Sequence, residues 1–104
     1  MSNYEELWTL IQAIPPGHVA SYGALGKAMR NPISGLLVGR WIKASPTEIP
    51  WWRVVGKDGR LPIAKQSPHL ALEQEERLRS EGITLEGGRV PTAAFVSISD
   101  LADD

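Results

Sequence analysis

The sequence predicts a single small α/β (α+β) domain built around a helix-turn-helix. Three observations carry that prediction. A length of 104 residues leaves room for one core and little more. Two short helical stretches are separated by an Asn31-Pro32 break. A β-branched and aromatic run at residues 49–55 precedes a further helix start at Ser67-Pro68. With 42% hydrophobic and 22% charged residues the chain has the balance of an ordinary folded protein. The domain is expected to take residues 1–96, with 97–104 as an acidic tail that frays.

Tyr4, Leu7, Trp8, Ile11 and Ile14 recur at helical spacing, which predicts an amphipathic helix over 3–14 with Asn3 as its cap and Glu6 in its first turn. Pro15-Pro16-Gly17 ends it, because proline removes amide donors and glycine supplies turn geometry. Residues 18–20 are expected to be extended. Ser21 then reads as the N-cap of a helix to about Arg30, and a second helix runs over about 34–44. Counting about 100° per residue, Leu37, Val38, Trp41 and Ile42 share one face of this second helix, the core face. Leu36, Arg40 and Lys43 share the opposite face, with Gly35 and Gly39 beside them, where missing side chains would let the backbone approach a large surface. Such a stripe suits a DNA groove; it is also the composition of a solvated helix with one exposed leucine.

Residues 49–55 read as a loop entering a strand, and adjacent strand residues point to opposite faces, so one of Trp51 and Trp52 would fill the core while the other lines a cavity. Lys57-Asp58-Gly59-Arg60 is a turn. Ser67-Pro68 starts the last helix, with Leu70, Ala71, Leu72 and Leu78 available for the core, Glu73-Gln74-Glu75-Glu76 as its solvated surface, and Gly82 as its stop. Gly87-Gly88 is expected to join two short strands, 83–86 and 89–90.

Composition excludes several chemistries. The absence of cysteine rules out disulfides, cysteine-based metal sites and a thiol nucleophile. Neither His18 nor His69 has ligand partners at metal spacing, no serine sits in a nucleophile elbow, and no Gly-rich phosphate loop opens a helix. No metal or cofactor is expected. No apolar run reaches a membrane span and the N-terminus lacks a basic signal segment, so the expected compartment is cytoplasmic. Net charge is −1, but residues 21–65 carry eight Lys and Arg against two carboxylates, net +6. A cluster of that sign inside a neutral chain points to a phosphate backbone as partner.

The order of motifs is similar to the DNA-binding domain of O6-alkylguanine-DNA alkyltransferases, and more closely to their non-enzymatic relatives, the alkyltransferase-like proteins. Ile14-Pro15-Pro16-Gly17-His18-Val19-Ala20-Ser21-Tyr22-Gly23 resembles the family's IPxGxVxTYG, and Ile49-Pro50-Trp51-Trp52-Arg53-Val54-Val55 resembles IPCHRVV. Val38-Gly39, Asp58-Gly59 and Glu81-Gly82 fall in register between and after them. The resemblance implies a winged helix-turn-helix that binds DNA in the minor groove as a monomer. Trp51 and Trp52 stand where the family has its reactive cysteine and histidine, and indole offers neither a thiolate nor a group that titrates near neutral pH. The implied activity is therefore recognition of O6-alkylguanine in double-stranded DNA without alkyl transfer, followed by hand-over to nucleotide excision repair proteins.

By the same resemblance, Tyr22 matches the tyrosine that crowds the phosphate beside the lesion and promotes nucleotide rotation. Arg53 would organise the site. Leu61, Pro62, Ile63, Ala64 and Lys65 match the loop over the extruded base; lacking the family's aromatic residue, they imply a wider pocket that tolerates larger alkyl groups. Glu81 is expected to be structural, its histidine partner being absent. Leu36 stands where the family has the arginine that fills the hole left by the base, which makes Leu36 the expected wedge, with Arg40 and Lys43 on phosphates. The alternative is a DNA-binding regulator or interaction module that keeps the fold but not base flipping, favoured by Leu36 and by Trp41, which replaces a small residue.

Overall fold

Helix α1 (Asn3–Gln12) ends two residues before the expected Ile14 and buries Leu7 and Ile11 of the expected stripe together with Leu10, while Tyr4 at its first turn is exposed. Asn3, expected as its cap, is its first residue. The structure is a computed structural model that describes residues 3–45 and 48–97, so the tail expected to fray lies, beyond residue 97, outside the described residues. After the proline turn the chain forms β1 (Ala20–Ser21) and at once α2 (Tyr22–Ala28), with Ser21 as N-cap: its Oγ accepts from the Ala24 amide at 3.1 Å. Glu6 of α1 accepts from the Arg30 amide at 2.7 Å just past the end of α2, so the two helices share one hydrogen-bonded corner.

Helix α3 (Gly35–Lys43) is capped by Ser34, whose Oγ accepts from the Leu37 amide at 3.2 Å. The α2–α3 turn is tight. A Cβ on Gly26 would lie 2.2 Å from the Ile33 carbonyl oxygen, so no other residue fits there without moving backbone. Val38 is fully buried between the helices, Leu37, Trp41 and Ile42 are half-buried, and Leu36, Arg40 and Lys43 are exposed, as the wheel predicts.

Residues 51–53 form a 3-10 turn rather than extended chain, followed by β2 (Val54–Val55). Strand β2 pairs in parallel with β1, Ala20 opposite Val54 and Ser21 opposite Val55. On the other side Val19 pairs with Phe95, which brings the end of the described chain back to the core. A second 3-10 turn, Pro62–Lys65, leads to α4 (Pro68–Ser80), capped by Ser67 Oγ on the Leu70 amide at 3.2 Å. Gly82, at φ +93°, stops α4 in a backbone conformation that side chains disfavour.

Two expectations about this half are corrected. Leu72 is exposed and Leu70 largely so, while Gln74 and Leu78 are the buried residues of α4. Leu78 and Gln74 lie four residues apart on one stripe, and Leu72 falls about 240° from Leu78, on the solvent side. The two strands expected around Gly87-Gly88 reduce to one antiparallel bridge between Glu86 and Arg89; so short a turn has no neighbouring strand to extend along.

The buried side chains form two clusters. The larger, from α1, α2, α3 and β2, includes Leu7, Ile11, Leu25, Val38 and Val54. The smaller, Val19, Val55, Leu78, Ile83 and Val90, lies under α4. Strands β1 and β2 join them, since alternate residues face opposite sides: Ala20 and Val54 belong to the first, Val19 and Val55 to the second. Among the described residues no helix is long and apolar enough to cross a membrane.

Candidate nucleic-acid interface

The outward face of α3 and the 3-10 turn at Trp51 border one cavity of about 540 Å³. Tyr22, Gly35, Leu36, Gly39, Arg40 and Lys43 form one wall, and Trp51, Pro62, Ile63, Gln66 and Gln74 the other, with Ile42 between them. Its size is in the range of pockets that enclose small ligands, about 300–1,000 Å³. A second cavity of about 310 Å³ adjoins it, sharing Ile42, Lys43, Trp51 and Ile63 and adding Leu70, Glu73 and Arg77.

Helix α3 presents a cationic, apolar rim. Leu36 is 71% exposed, and among the described residues neither Arg40 nor Lys43 makes an ion pair. The two glycines also face the start of α2. A Cβ on Gly35 would lie 3.0 Å from the Gly23 amide nitrogen, and one on Gly39 would meet the Tyr22 ring at 3.8 Å. The small size of Gly35 lets α3 close on the start of α2, while at Gly39 a side-chain carbon would make only ordinary contact. Tyr22 is packed between the cavity and the larger core, and this burial pushes its phenol pKa up from its ordinary value.

The Trp51 wall is held from behind. A 3-10 turn advances about 120° per residue, so Trp51 faces the cavity, Trp52 turns inward and Arg53 points back into the protein. Trp52 Nε1 donates to Glu81 Oε2 at 2.9 Å. Arg53 donates to the same carboxylate, with Nη2 2.8 Å from Oε2, and to the Ile14 carbonyl through Nη1 at 2.9 Å. Glu81 Oε1 also accepts from the Gly17 amide at 3.1 Å. The Arg53 and Glu81 side chains are 13% and 14% exposed. Burial alone would raise the Glu81 pKa, but the hydrogen bonds from Arg53, Trp52 and Gly17 and the Arg53 charge outweigh it and hold the carboxyl below its ordinary value. Trp52 in turn meets Trp51 edge to face, centroids 6.2 Å apart at 85°, and has the guanidiniums of Arg53 and Arg77 over its ring at 5.5 and 4.6 Å. Glu81 does lack a histidine, as expected, yet it is not left without a ring partner: the Trp52 indole N–H occupies it.

Of the residues expected around an extruded base, the structure brings Tyr22, Trp51, Pro62 and Ile63 to the cavity. It does not bring Trp52, Arg53, Leu61, Ala64 or Lys65 to the lining. Trp52 and Leu61 pack against the smaller core, Arg53 is tied to Glu81, and the 3-10 turn at residues 62–65 rotates Ala64 and Lys65 to solvent. Ile42, Gln66 and Gln74 line the cavity without having been singled out for it. Gln74 had a signal, four residues before the apolar Leu78 on the same helix; its acidic neighbours hid it. Glu73 and Glu75 are surface partners of Arg77 and Arg79 at i+4.

The sequence profile of the family described as 6-O-methylguanine DNA methyltransferase, DNA binding domain matches residues 2–83. A DNA base-flipping protein of Escherichia coli K12 is 32% identical over 85 residues, 80% of this chain, and the chain spans 64% of that relative's length. A bifunctional methyltransferase/endonuclease of Thermoplasma volcanium is 31% identical over 100 residues, 94% of this chain and 31% of that protein. In fold the chain is similar to S. pombe Atl1, crystallised in complex with damaged DNA containing O6-carboxymethylguanine, with a TM-score of 0.78, 24% identity, and 90% of this chain and 94% of that one covered. The four helices, the two-stranded sheet and the matched motifs agree with one another: the chain belongs to the 6-O-methylguanine DNA methyltransferase DNA-binding domain family.

Proposed function

We propose that the chain binds O6-alkylguanine in double-stranded DNA, rotates the nucleotide into the cavity beside Trp51, and leaves the alkyl group in place. The observation that carries this reading is that the exposed face of α3 and the Trp51 indole border the same cavity. A helix that reaches DNA through Leu36, Arg40 and Lys43 would place that opening at the duplex. Unpairing and unstacking a base costs a few kcal/mol, least at a damaged base, so part of the lesion preference comes from the DNA. Leu36 fills the vacated space as a wedge, Arg40 and Lys43 hold phosphates, and Tyr22 crowds the phosphate beside the extruded nucleotide. Trp51 offers an aromatic face, a contact worth about 1–3 kcal/mol per stacked base.

The chain contains no cysteine, so alkyl transfer to a thiolate has no acceptor here. The names of the relatives, one a base-flipping protein and one crystallised on damaged DNA, support recognition. The methyltransferase in the larger bifunctional relative is consistent with the same fold carrying a reactive group elsewhere in the family. Hand-over to nucleotide excision repair completes the reading, since a bound but unrepaired lesion requires a second activity to remove it.

The alternative, a regulator without base flipping, loses one of its two supports. Trp41 does not line the cavity: it packs against Tyr4, centroids 4.5 Å apart with the rings tilted by 37°, and on the larger core. The deciding experiment titrates matched duplexes with and without a single O6-methylguanine at one stated salt concentration. Tighter binding to the modified duplex is expected, and equal affinities would return the reading to the regulator. Adducts from methyl to benzyl then test the wide pocket, which predicts no sharp fall in binding.

A further inference from the structure

Trp51 is the ring that the proposed function sets against the base, yet its side chain makes no hydrogen bond among the described residues. The aromatic contact that orients it is Trp52, which it meets edge to face at 6.2 Å and 85°. Trp52 is itself pinned at one edge, by the 2.9 Å hydrogen bond from Nε1 to Glu81. A single bond at the rim of a ring is a pivot: it sets where the rim lies and leaves the plane free to tilt about it. The guanidinium of Arg77, 4.6 Å from the Trp52 centroid, opposes that tilt from over the ring. Arg53 is farther, at 5.5 Å, and its Nη groups already serve Glu81 and the Ile14 carbonyl. Arg77 comes independently from α4, where its Nε donates to Glu73 Oε2 at 3.0 Å, and it lines the smaller cavity, as Trp51 does.

Helix α4 supplies its own comparison. Arg79 pairs with Glu75 at 3.2 Å, the same i, i+4 arrangement on the same helix. Both arginine side chains are exposed, 47% for Arg77 and 58% for Arg79, and pairs so placed contribute little to stability. Of the two, Arg77 alone stands over an aromatic ring among the described residues. Resting on the function proposed above, we propose that Arg77 is a positioning residue for lesion recognition: anchored by Glu73, it holds the plane of Trp52 and, through it, the face that Trp51 turns to the flipped base. A Trp51 ring left loose has to be ordered when the base arrives, and that cost is subtracted from affinity. Undamaged duplex, held through its phosphates, does not use the Trp51 face and is spared the cost.

The test uses the full chain and two readouts. Two indoles in this arrangement couple their electronic transitions and give paired circular dichroism bands of opposite sign, whose size follows their mutual angle. Each protein is measured without DNA against the same chain carrying Trp51→Phe, so that the difference isolates the Trp51–Trp52 pair. Arg77→Met should lose most of that paired signal, Arg77→Lys, which keeps a cation over the ring, should retain it, and Arg79→Met should leave it unchanged. In titrations, Arg77→Met should weaken binding to an O6-methylguanine duplex about fivefold, the factor that a partly exposed cation over an indole contributes. Undamaged duplex should be affected less, and Arg79→Met, which removes the same charge, should leave the ratio of the two affinities unchanged. An intact paired signal in Arg77→Met, or an equal response from Arg79→Met, overturns the proposal. So does an equal loss on both duplexes, which would make Arg77 a phosphate contact. Should Arg77→Met fail to fold, Glu73→Ala, which releases the Arg77 Nε, is read by the same criteria. If the natural chain prefers the modified duplex and Arg77→Met keeps that preference in full, recognition stands and this proposal alone is overturned; if the natural chain shows no preference, the proposed function fails and this role with it.

Discussion

The two walls of the cavity are held by different means. On the α3 side Leu36, Arg40 and Lys43 project into solvent from a helix anchored by Val38 and by the Ser34 cap. On the Trp51 side Trp52, Arg53 and Glu81 saturate one another in a largely buried network that also fastens residues 14 and 17. The wall that is proposed to meet DNA leaves its charges unspent, and the wall that is proposed to receive the base spends its charges on fixing geometry. Recognition surfaces and positioning networks draw on the same residue types; what separates them is whether the protein already satisfies the group.

The largest effect expected from disturbing this contrast is at Glu81. Glu81→Ala leaves the Arg53 guanidinium, the Trp52 indole and the Gly17 amide without their acceptor, and should cost about 3 kcal/mol in urea denaturation at neutral pH. The same carboxylate sets a pH dependence. Its folded pKa is lowered, so its contribution is fully present above the ordinary carboxylate value and is lost as pH falls through the lowered one. Denaturation of Glu81→Gln should accordingly show a shallower loss of stability on the acid side. Leu36→Ala inverts the pattern. At 71% exposure its removal should change stability by less than about 0.5 kcal/mol, while weakening binding to an O6-methylguanine duplex by about tenfold, or 1.4 kcal/mol. Undamaged duplex should be affected less, and an equal loss on both would remove the wedge role. Ser34→Ala, which takes the cap from α3, should cost about 1 kcal/mol in the same denaturation assay. The smallest effect belongs to Lys43→Ala: a nearly uniform weakening across sequences, with the slope of log affinity against log salt reduced by about one.

Much of this was legible in the sequence where a rule is local. Ser21 and Ser67 read as N-caps because a hydroxyl at that position satisfies an otherwise orphan amide, and both do so; Ser34, read as the first residue of its helix, proves to be a third cap by the same rule. The α3 wheel separated Val38 from Leu36 correctly because a short helix leaves little freedom in phase. The division of labour between Trp51 and Trp52 was also readable, though by the wrong geometry. Strand alternation and a 3-10 turn both send neighbours in different directions, and the sequence does not distinguish them at residues 51–53. What could not be read was long-range. Nothing local announces that Glu81 meets Gly17, Arg53 and Trp52 from 64, 28 and 29 residues away. Nor does it reveal that a glutamine among glutamates is the best-buried polar side chain among the described residues.

Those separations bear on how long the folded state lasts. Contacts that close such long stretches of chain pay their ordering entropy before they return any energy, so they are expected to form late, after the barrier to folding has been crossed. Weakening the Glu81 junction should then hasten unfolding while leaving the refolding rate nearly untouched. By that logic the single carboxylate governs the lifetime of the native chain far more than the speed at which it is reached.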